Sequence, residues 1–332
     1  MGELSIKMPI KEKNEEVFEP QLIGEYLLLQ PLTSNKGGFS KWGFCSKSGK
    51  EYFIKEFLTP VYPLDSIKLE YEIRQKKIKQ CTEWFRKKRK IYQCICNSQT
   101  GNLVPPIELF RHESHFYLIT DKVTEPAMDC NEISNFDMEH KQVLLKVLAN
   151  SFTRLAVNNV VHADVKLDNL LIKQTNAGFF TIKVIDFDAS YLADNPPESD
   201  DIQGDFVYLA PETFLKLIEE PAVLSPKVDV FAMGIVFHQL LCGKLPEFSS
   251  EYDYAYEAVL NDDELILNDT IPEKYRLLIS YMLKKEPSER FSMNQVFAAL
   301  KAIERSDIDT NSEEKSKEDK VKNHWIVSDD FD

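Results

Sequence analysis

The chain of 332 residues is 43% apolar and carries 40 basic against 54 acidic side chains, a net charge of −14. That is enough apolar material for one large two-part domain or two ordinary ones, and the acidic balance makes nucleic acid an unlikely main partner. No 18-residue apolar run exists, the first residues (Met1-Gly2-Glu3-Leu4-Ser5) lack a leader pattern, and the six cysteines form no Cys-x-x-Cys pair. No membrane contact, zinc site or disulfide framework is therefore expected, and a cytoplasmic location follows.

Residues 1–20 are polar without sustained periodicity and are expected to form a disordered arm. Order is expected from near Leu22. Tyr26 to Leu29, Trp42 to Cys45 and Tyr52 to Phe57 read as strands, with Ser48-Gly49-Lys50 as the turn between the last two. A long helix is predicted over about 66–96, because Ile78, Cys81, Phe85, Tyr92 and Ile95 recur at helical spacing. Its basic run, Arg86 to Lys90, reads as a solvated face rather than a nucleic-acid patch; the alternative would show as strongly salt-dependent affinity.

Gly101-Asn102 then breaks to two more strands, Ile107 to Phe110 and Phe116 to Ile119. From Asp137 the pattern turns helical, with Val143, Leu144, Val147, Leu148, Phe152 and Leu155 in one stripe. A second helix, Lys227 to Leu241, is apolar almost all round and is expected to be buried. Beyond about Ser306 the chain is rich in Glu, Lys and Asp and reads as a charged disordered tail over 306–332. Strands first and helices later imply two segregated lobes in an α+β chain.

The most legible chemistry lies in Val161-His162-Ala163-Asp164-Val165-Lys166-Leu167-Asp168-Asn169, followed by Ile185-Asp186-Phe187-Asp188. Polar residues able to touch a phosphate or a metal sit there between short apolar runs that read as strands. An isolated His-x-Asp would be an ordinary polar hairpin. The joint spacing of Asp164, Lys166, Asn169 and Asp186 instead resembles the catalytic loop and Asp-Phe-Gly motif of the eukaryotic-like serine/threonine protein kinases.

Further motifs fall in the same order. Phe53-Ile54-Lys55 resembles Val-Ala-Ile-Lys, Gly204 to Glu212 resembles the end of the activation segment with its Ala-Pro-Glu, and Asp229 matches the buried aspartate of the central helix. The resemblance implies a bilobal protein-kinase-like fold over 21–305, with a small antiparallel-sheet N-lobe (about 21–122) bearing one long helix and a mainly helical C-lobe (about 123–305). It implies ATP and Mg2+ as substrate and cofactor and a protein as phosphate acceptor. Asp164 and Lys166 would be catalytic, Asn169 and Asp186 would hold metal, and Lys55, Gly37, Gly38, Thr120, Asp121 and Val123 would bind ATP. Glu212 would pair with Arg290.

Departures from the pattern are equally specific. Of the glycine loop's three glycines only Gly37 is kept, with Asn35 and Ser40 at the other places. Two glutamates compete as partner of Lys55: Glu70, 15 residues on (70 − 55), and Glu83, which fits better when counted back from the next strand. Ala163 replaces the arginine that receives an activating phosphate, so the segment is expected to be ordered without one. Asp188 replaces the glycine of Asp-Phe-Gly, adding a carboxylate beside the metal ligands. These departures make a nucleotide-binding pseudokinase scaffold the alternative to an active enzyme, and a small-molecule kinase a more distant one.

Overall fold

Alternating apolar residues after Gln21 fold into strands because a half-buried pleated surface accepts every second side chain. The computed structural model describes residues 18–34, 40–123, 128, 130–174, 178 and 180–307. Strands β1 (Leu22–Ile23), β2 (Tyr26–Leu28), β3 (Ser40–Lys47) and β4 (Lys50–Phe57) precede helix α1 (Tyr71–Asn97), which is followed by β5 (Pro106–His112) and β6 (His115–Asp121). The sheet order is β1-β2-β3-β4-β6-β5. The turn between β3 and β4 is the pair Ser48 and Gly49, both at positive φ (53° and 79°), which matches the twist of the flanking strands.

Two units divide the chain, one of 1–82 with 107–123 and the other of 83–106 with 124–332. In the first, Ile23, Tyr26, Leu28, Cys45, Ile54, Tyr117 and Ile119 form the core, with Phe18 packed against it, so order reaches further back than Leu22. The helix starts five residues later than the predicted 66. From Glu83 onward it belongs to the second unit, where Ile91, Tyr92 and Ile95 are buried.

The second unit contains α2 (Cys130–Ser134), α3 (Met138–Val157), β7 (Val160–Val161), β8 (Leu170–Gln174), β9 (Phe180–Val184), β10 (Tyr191–Leu192), α4 (Pro211–Leu217), α5 (Lys227–Cys242), α6 (Ala255–Leu260) and α7 (Glu273–Met282). A further helix, α8, spans 293–307. Asp137 caps α3 by accepting from the His140 N–H at 2.9 Å. On that helix the buried stripe includes Leu144, Leu145, Leu148, Phe152 and Leu155, whereas Val143 is exposed. The predicted stripe was thus one position off at its start, a small rotation for a helix whose apolar residues cover more than one face. Helix α5 is buried almost throughout, as a sequence apolar on nearly every face requires.

The segment between α1 and β5 is stitched to β9: Val184 N donates to Asn102 O at 2.8 Å and Val104 N to Val184 O at 2.9 Å. Near the other end of the unit, Glu212 and Arg290 are both buried and form a two-pronged pair at 2.7 and 2.8 Å. The remaining guanidinium donors reach the carbonyls of Lys284, Lys285 and Lys227, and the group lies 5.1 Å from the Phe231 ring. Every donor of this buried cation is therefore satisfied, the condition under which burying a charge is tolerable.

Arg290→Met would leave the Glu212 carboxylate buried without its partner. It is expected to cost about 3–5 kcal/mol, with part recovered in the Glu212→Leu/Arg290→Met double variant. Denaturant unfolding checks this; a single-variant loss below about 1 kcal/mol would be the signature of an exposed pair and would contradict it.

Candidate active site

Between β7 and β8 the chain makes a loop whose backbone is held from below. Asp229, in the first turn of α5 and buried, accepts from His162 N at 2.8 Å and from Ala163 N at 2.9 Å. Burial raises its carboxyl pKa, against the lowering influence of His162 and of these two N–H groups. His162 is itself fully buried, 5.7 Å from the Phe152 ring and 4.9 Å from Phe187. Its Nδ1 accepts from Asp164 N at 3.3 Å, so the network assigns the ring proton to Nε2, which donates to Ile185 O at 3.2 Å. His162 thereby ties the loop to the strand end that precedes Asp186.

Ala163 adopts φ 67° and Asp186 φ 60°, left-handed values that a side chain disfavours. Strain of this kind persists only where the surroundings over-determine it, and it concentrates at functional positions. Directly after Ala163, Asp164 Oδ2 accepts from Asn169 Nδ2 at 2.9 Å and lies 3.1 Å from Lys166 Nζ. Asp164 Oδ1 is buried and has no hydrogen-bond partner among the described residues. Asn169 Nδ2 also donates to Asp164 O at 2.8 Å, and Ile185 N donates to Asn169 O at 3.0 Å.

Lys166 has a second anion, Asp205 Oδ2, at 3.6 Å. Its half-burial works against the charge, but Asp164, Asp205 and Asp186 prevail and its pKa is raised. Asp205 also caps the short turn Phe206–Tyr208 by accepting from Val207 N at 3.1 Å. Beside it, Gly204 has φ 142°, and a Cβ there would stand 2.8 Å from Ala163 O. The end of the 186–212 segment is thus pressed against the loop, and its start is held by the pairing of β10 with β7 and by Ser190 Oγ donating to His162 O at 3.2 Å. The interaction of Asp205 with Lys166 had no sequence signal beyond its place after Gly204.

Asp164, Lys166 and Asn169 are therefore brought together, with Asp186 one strand end away. In the first unit Lys55 is buried on β4, opposite Leu118 of β6, with Phe53 opposite Thr120. Alternation along β4 turns Lys55 away from the core face that holds Ile54. Asp121 pairs with Lys50 at 2.7 Å, and Val123 lies just past β6. Gly37 and Gly38 lie outside the described residues. Of the competing glutamates, Glu70 precedes α1, while Glu83 is on the helix and lines a cavity with Arg86, Lys90, Leu192 and Asn195.

The family description "Protein kinase domain" matches residues 67–300. The chain belongs to the protein kinase family. Similar proteins include the protein kinase kin1 of Schizosaccharomyces pombe, 25% identical over 88% of this chain and 33% of that protein. A probable serine/threonine-protein kinase, a KIN1 homolog of Encephalitozoon cuniculi, is 24% identical over 90% of this chain and 51% of its own length. A probable myosin light chain kinase of Dictyostelium discoideum is 27% identical over 58% of this chain and 63% of its own. The chain thus spans about a third to a half of the first two relatives. Among the described residues no helix is long and apolar enough to cross a membrane.

Asp229→Asn keeps the shape at α5 but turns an amide NH2 toward one of the two loop N–H donors. A stability loss of about 1–3 kcal/mol is expected, the cost of one unsatisfied buried donor, together with faster hydrogen exchange of the His162 and Ala163 amides. Unchanged denaturation and exchange would show that the two hydrogen bonds do not hold the loop.

Proposed function

We propose that the chain transfers the γ-phosphate of ATP to Ser or Thr hydroxyls of protein substrates. The observation that carries this reading is Asp164 Oδ1, a buried carboxylate oxygen with no hydrogen-bond partner among the described residues, beside a lysine whose charge is reinforced. An unsatisfied buried acceptor is costly and is retained where a ligand completes it. In this reading Oδ1 receives the hydrogen of the acceptor hydroxyl and aims its oxygen at the γ-phosphorus, a role worth about 10²- to 10⁴-fold in rate. Lys166 balances the charge on the transferred group, and ADP departs with the electron pair of the broken bond.

Asn169 and Asp186 suit magnesium as hard oxygen ligands: the Asn169 amide nitrogen is spent on Asp164, which leaves its oxygen end for a cation. When bound, the ion neutralises phosphate charge. Among the described residues there is no group of three or more His, Cys, Asp or Glu that could hold a metal ion, so phosphate oxygens and water would complete the shell. Lys55, Thr120, Asp121, Val123, Gly37 and Gly38 are assigned to the nucleotide. The serine/threonine preference rests on Lys166, two residues after Asp164, and on the printed names of the relatives. We place the kinase domain at 21–305, between an arm and a charged tail, and its work in the cytoplasm.

The 186–212 segment is held by Ser190, by Gly204 and by the pairing of Asp205 with Lys166, contacts that require no phosphate. Activity is expected to persist with no stoichiometric phosphate between residues 187 and 211. A mass spectrum showing that activity depends on one such phosphate would refute this.

Labelled ATP with magnesium, offered with the protein itself and a generic basic substrate, tests the main reading. Incorporation that Asp164→Ala and Asp186→Asn both abolish is expected. Nucleotide binding without incorporation by wild type would instead establish a pseudokinase scaffold.

A further inference from the structure

The resemblance places a glutamate on the long helix and a glycine two residues after the metal-binding aspartate. In this chain Lys88 of α1 reaches the Asp186–Asp188 loop, where its Nζ donates to the carbonyl of Asp188. One turn on, Tyr92 is buried beside the Asp188 carboxylate. Its hydroxyl pKa is pushed well up, by burial first and then by the charges of Asp188 and Asp186. The Lys88 ammonium stands 6.0 Å over the Tyr92 ring. Asp188 in turn donates its backbone N–H to Asp186 Oδ1 at 3.3 Å. A continuous chain of contacts therefore runs from the helix through Asp188 to the side chain of Asp186.

The backbone makes no use of a glycine at 188. Positive φ in this loop falls on Asp186 and not on Asp188, so a side chain there is free of strain and narrows the conformations open to the loop. The helix supplies a cation to this loop, whereas the resemblance implies a helix glutamate that pairs with Lys55. Lys88 sits in the middle of an otherwise exposed basic run and alone among Arg86 to Lys90 is half-buried. A lysine stem laid along apolar surface with its head on a carbonyl is an ordinary way to bury such a residue.

We infer that Lys88 is a positioning residue that acts through the backbone of Asp188 to hold Asp186 in its metal-binding orientation. The backbone at 188 is thus a locking point between helix and loop. This inference rests on the reading of Asp186 as a magnesium ligand. It adds that packing against α1 sets the loop before any metal or nucleotide arrives.

The test uses the full chain as wild type, Lys88→Met, Lys88→Arg, Asp188→Gly and Asp186→Asn. Two readouts are independent of turnover: hydrogen exchange of the amides of residues 185–190 in the metal-free protein, and calorimetric affinity for Mn2+ in the presence of ADP. Lys88→Met is expected to speed exchange in that segment and to weaken the metal by about tenfold, the size of one hydrogen bond to a charged group, whereas Asp188→Gly, which keeps the carbonyl and the N–H at 188, is expected to change the affinity less than Lys88→Met does. KM for the protein substrate should stay unchanged, and Lys88→Arg, which keeps the donor, should restore wild-type values. A folded Lys88→Met protein with wild-type exchange and metal affinity overturns the inference; should that variant not fold, the truncation Lys88→Ala, which also removes the donor, decides by the same readouts. Asp186→Asn separates the two levels: if it binds Mn2+ as wild type does, the metal-ligand reading itself fails.

Discussion

The second unit depends on one buried anion. The Asp229 carboxylate lies in the first turn of α5, where the helix dipole favours a negative charge, and it accepts two consecutive backbone N–H groups from His162 and Ala163. Such a charge is tolerable only when its hydrogen bonds are complete, so α5, β7 and the loop must meet in one register. The near-total burial of α5 follows from the same demand, because a helix that carries the loop on its first turn must run through the middle of the unit. From His162 the constraint passes to Ile185 and so to the base of the Asp186–Asp188 loop.

What this fixed base makes affordable is local strain. Ala163 and Asp186, at φ 67° and 60°, flank the cluster of Asp164, Lys166 and Asn169 on two different segments, each at a cost of order 1–3 kcal/mol. Neither residue would hold that conformation in a free loop. Ala163 is held by Asp229 below and by the close approach of Gly204 above, where any Cβ would collide with the Ala163 carbonyl. The small residue at 163 and the glycine at 204 are thus two halves of one fit. The segment that contains Gly204 is held against this loop by that close approach and by the pairing of Asp205 with Lys166.

Much of this was legible in the sequence because its determinants are local. Asp164, Lys166 and Asn169 lie within six residues of one another, and their spacing alone places them on one loop. The strands of the first unit follow from period-two alternation, and α5 from a run too apolar to face water. What stayed hidden depends on which way a helix is rotated and on partners far away in sequence. Val143 fits the helical period as well as Leu145 does, and only packing of α3 decides which of them is buried. Lys88 looks like its four basic neighbours, and its partner is 100 residues distant. The pairing of Lys166 with Asp205 is likewise a tertiary contact for which spacing carries no signal.

Lys88 also shows why counting glutamates could not resolve the helix register. The count sought the glutamate that pairs with Lys55, and Glu70 and Glu83 were the two candidates. Once the helix is placed, Ile91, Tyr92 and Ile95 form its buried side, and the residue preceding that side by one turn is 88. Burial of apolar side chains contributes about 1.5–3 kcal/mol each, so three of them outweigh any single exposed ion pair in setting the rotation of the helix. Whatever stands at 88 is then delivered to the loop by the packing, and a lysine there requires an acceptor. The carbonyl of residue 188 supplies it, while the carboxylate of that residue meets the buried Tyr92. The lysine on the helix is therefore satisfied by the backbone at 188 and the carboxylate there has Tyr92 as its neighbour, so the two departures from the family pattern meet at one loop through different atoms.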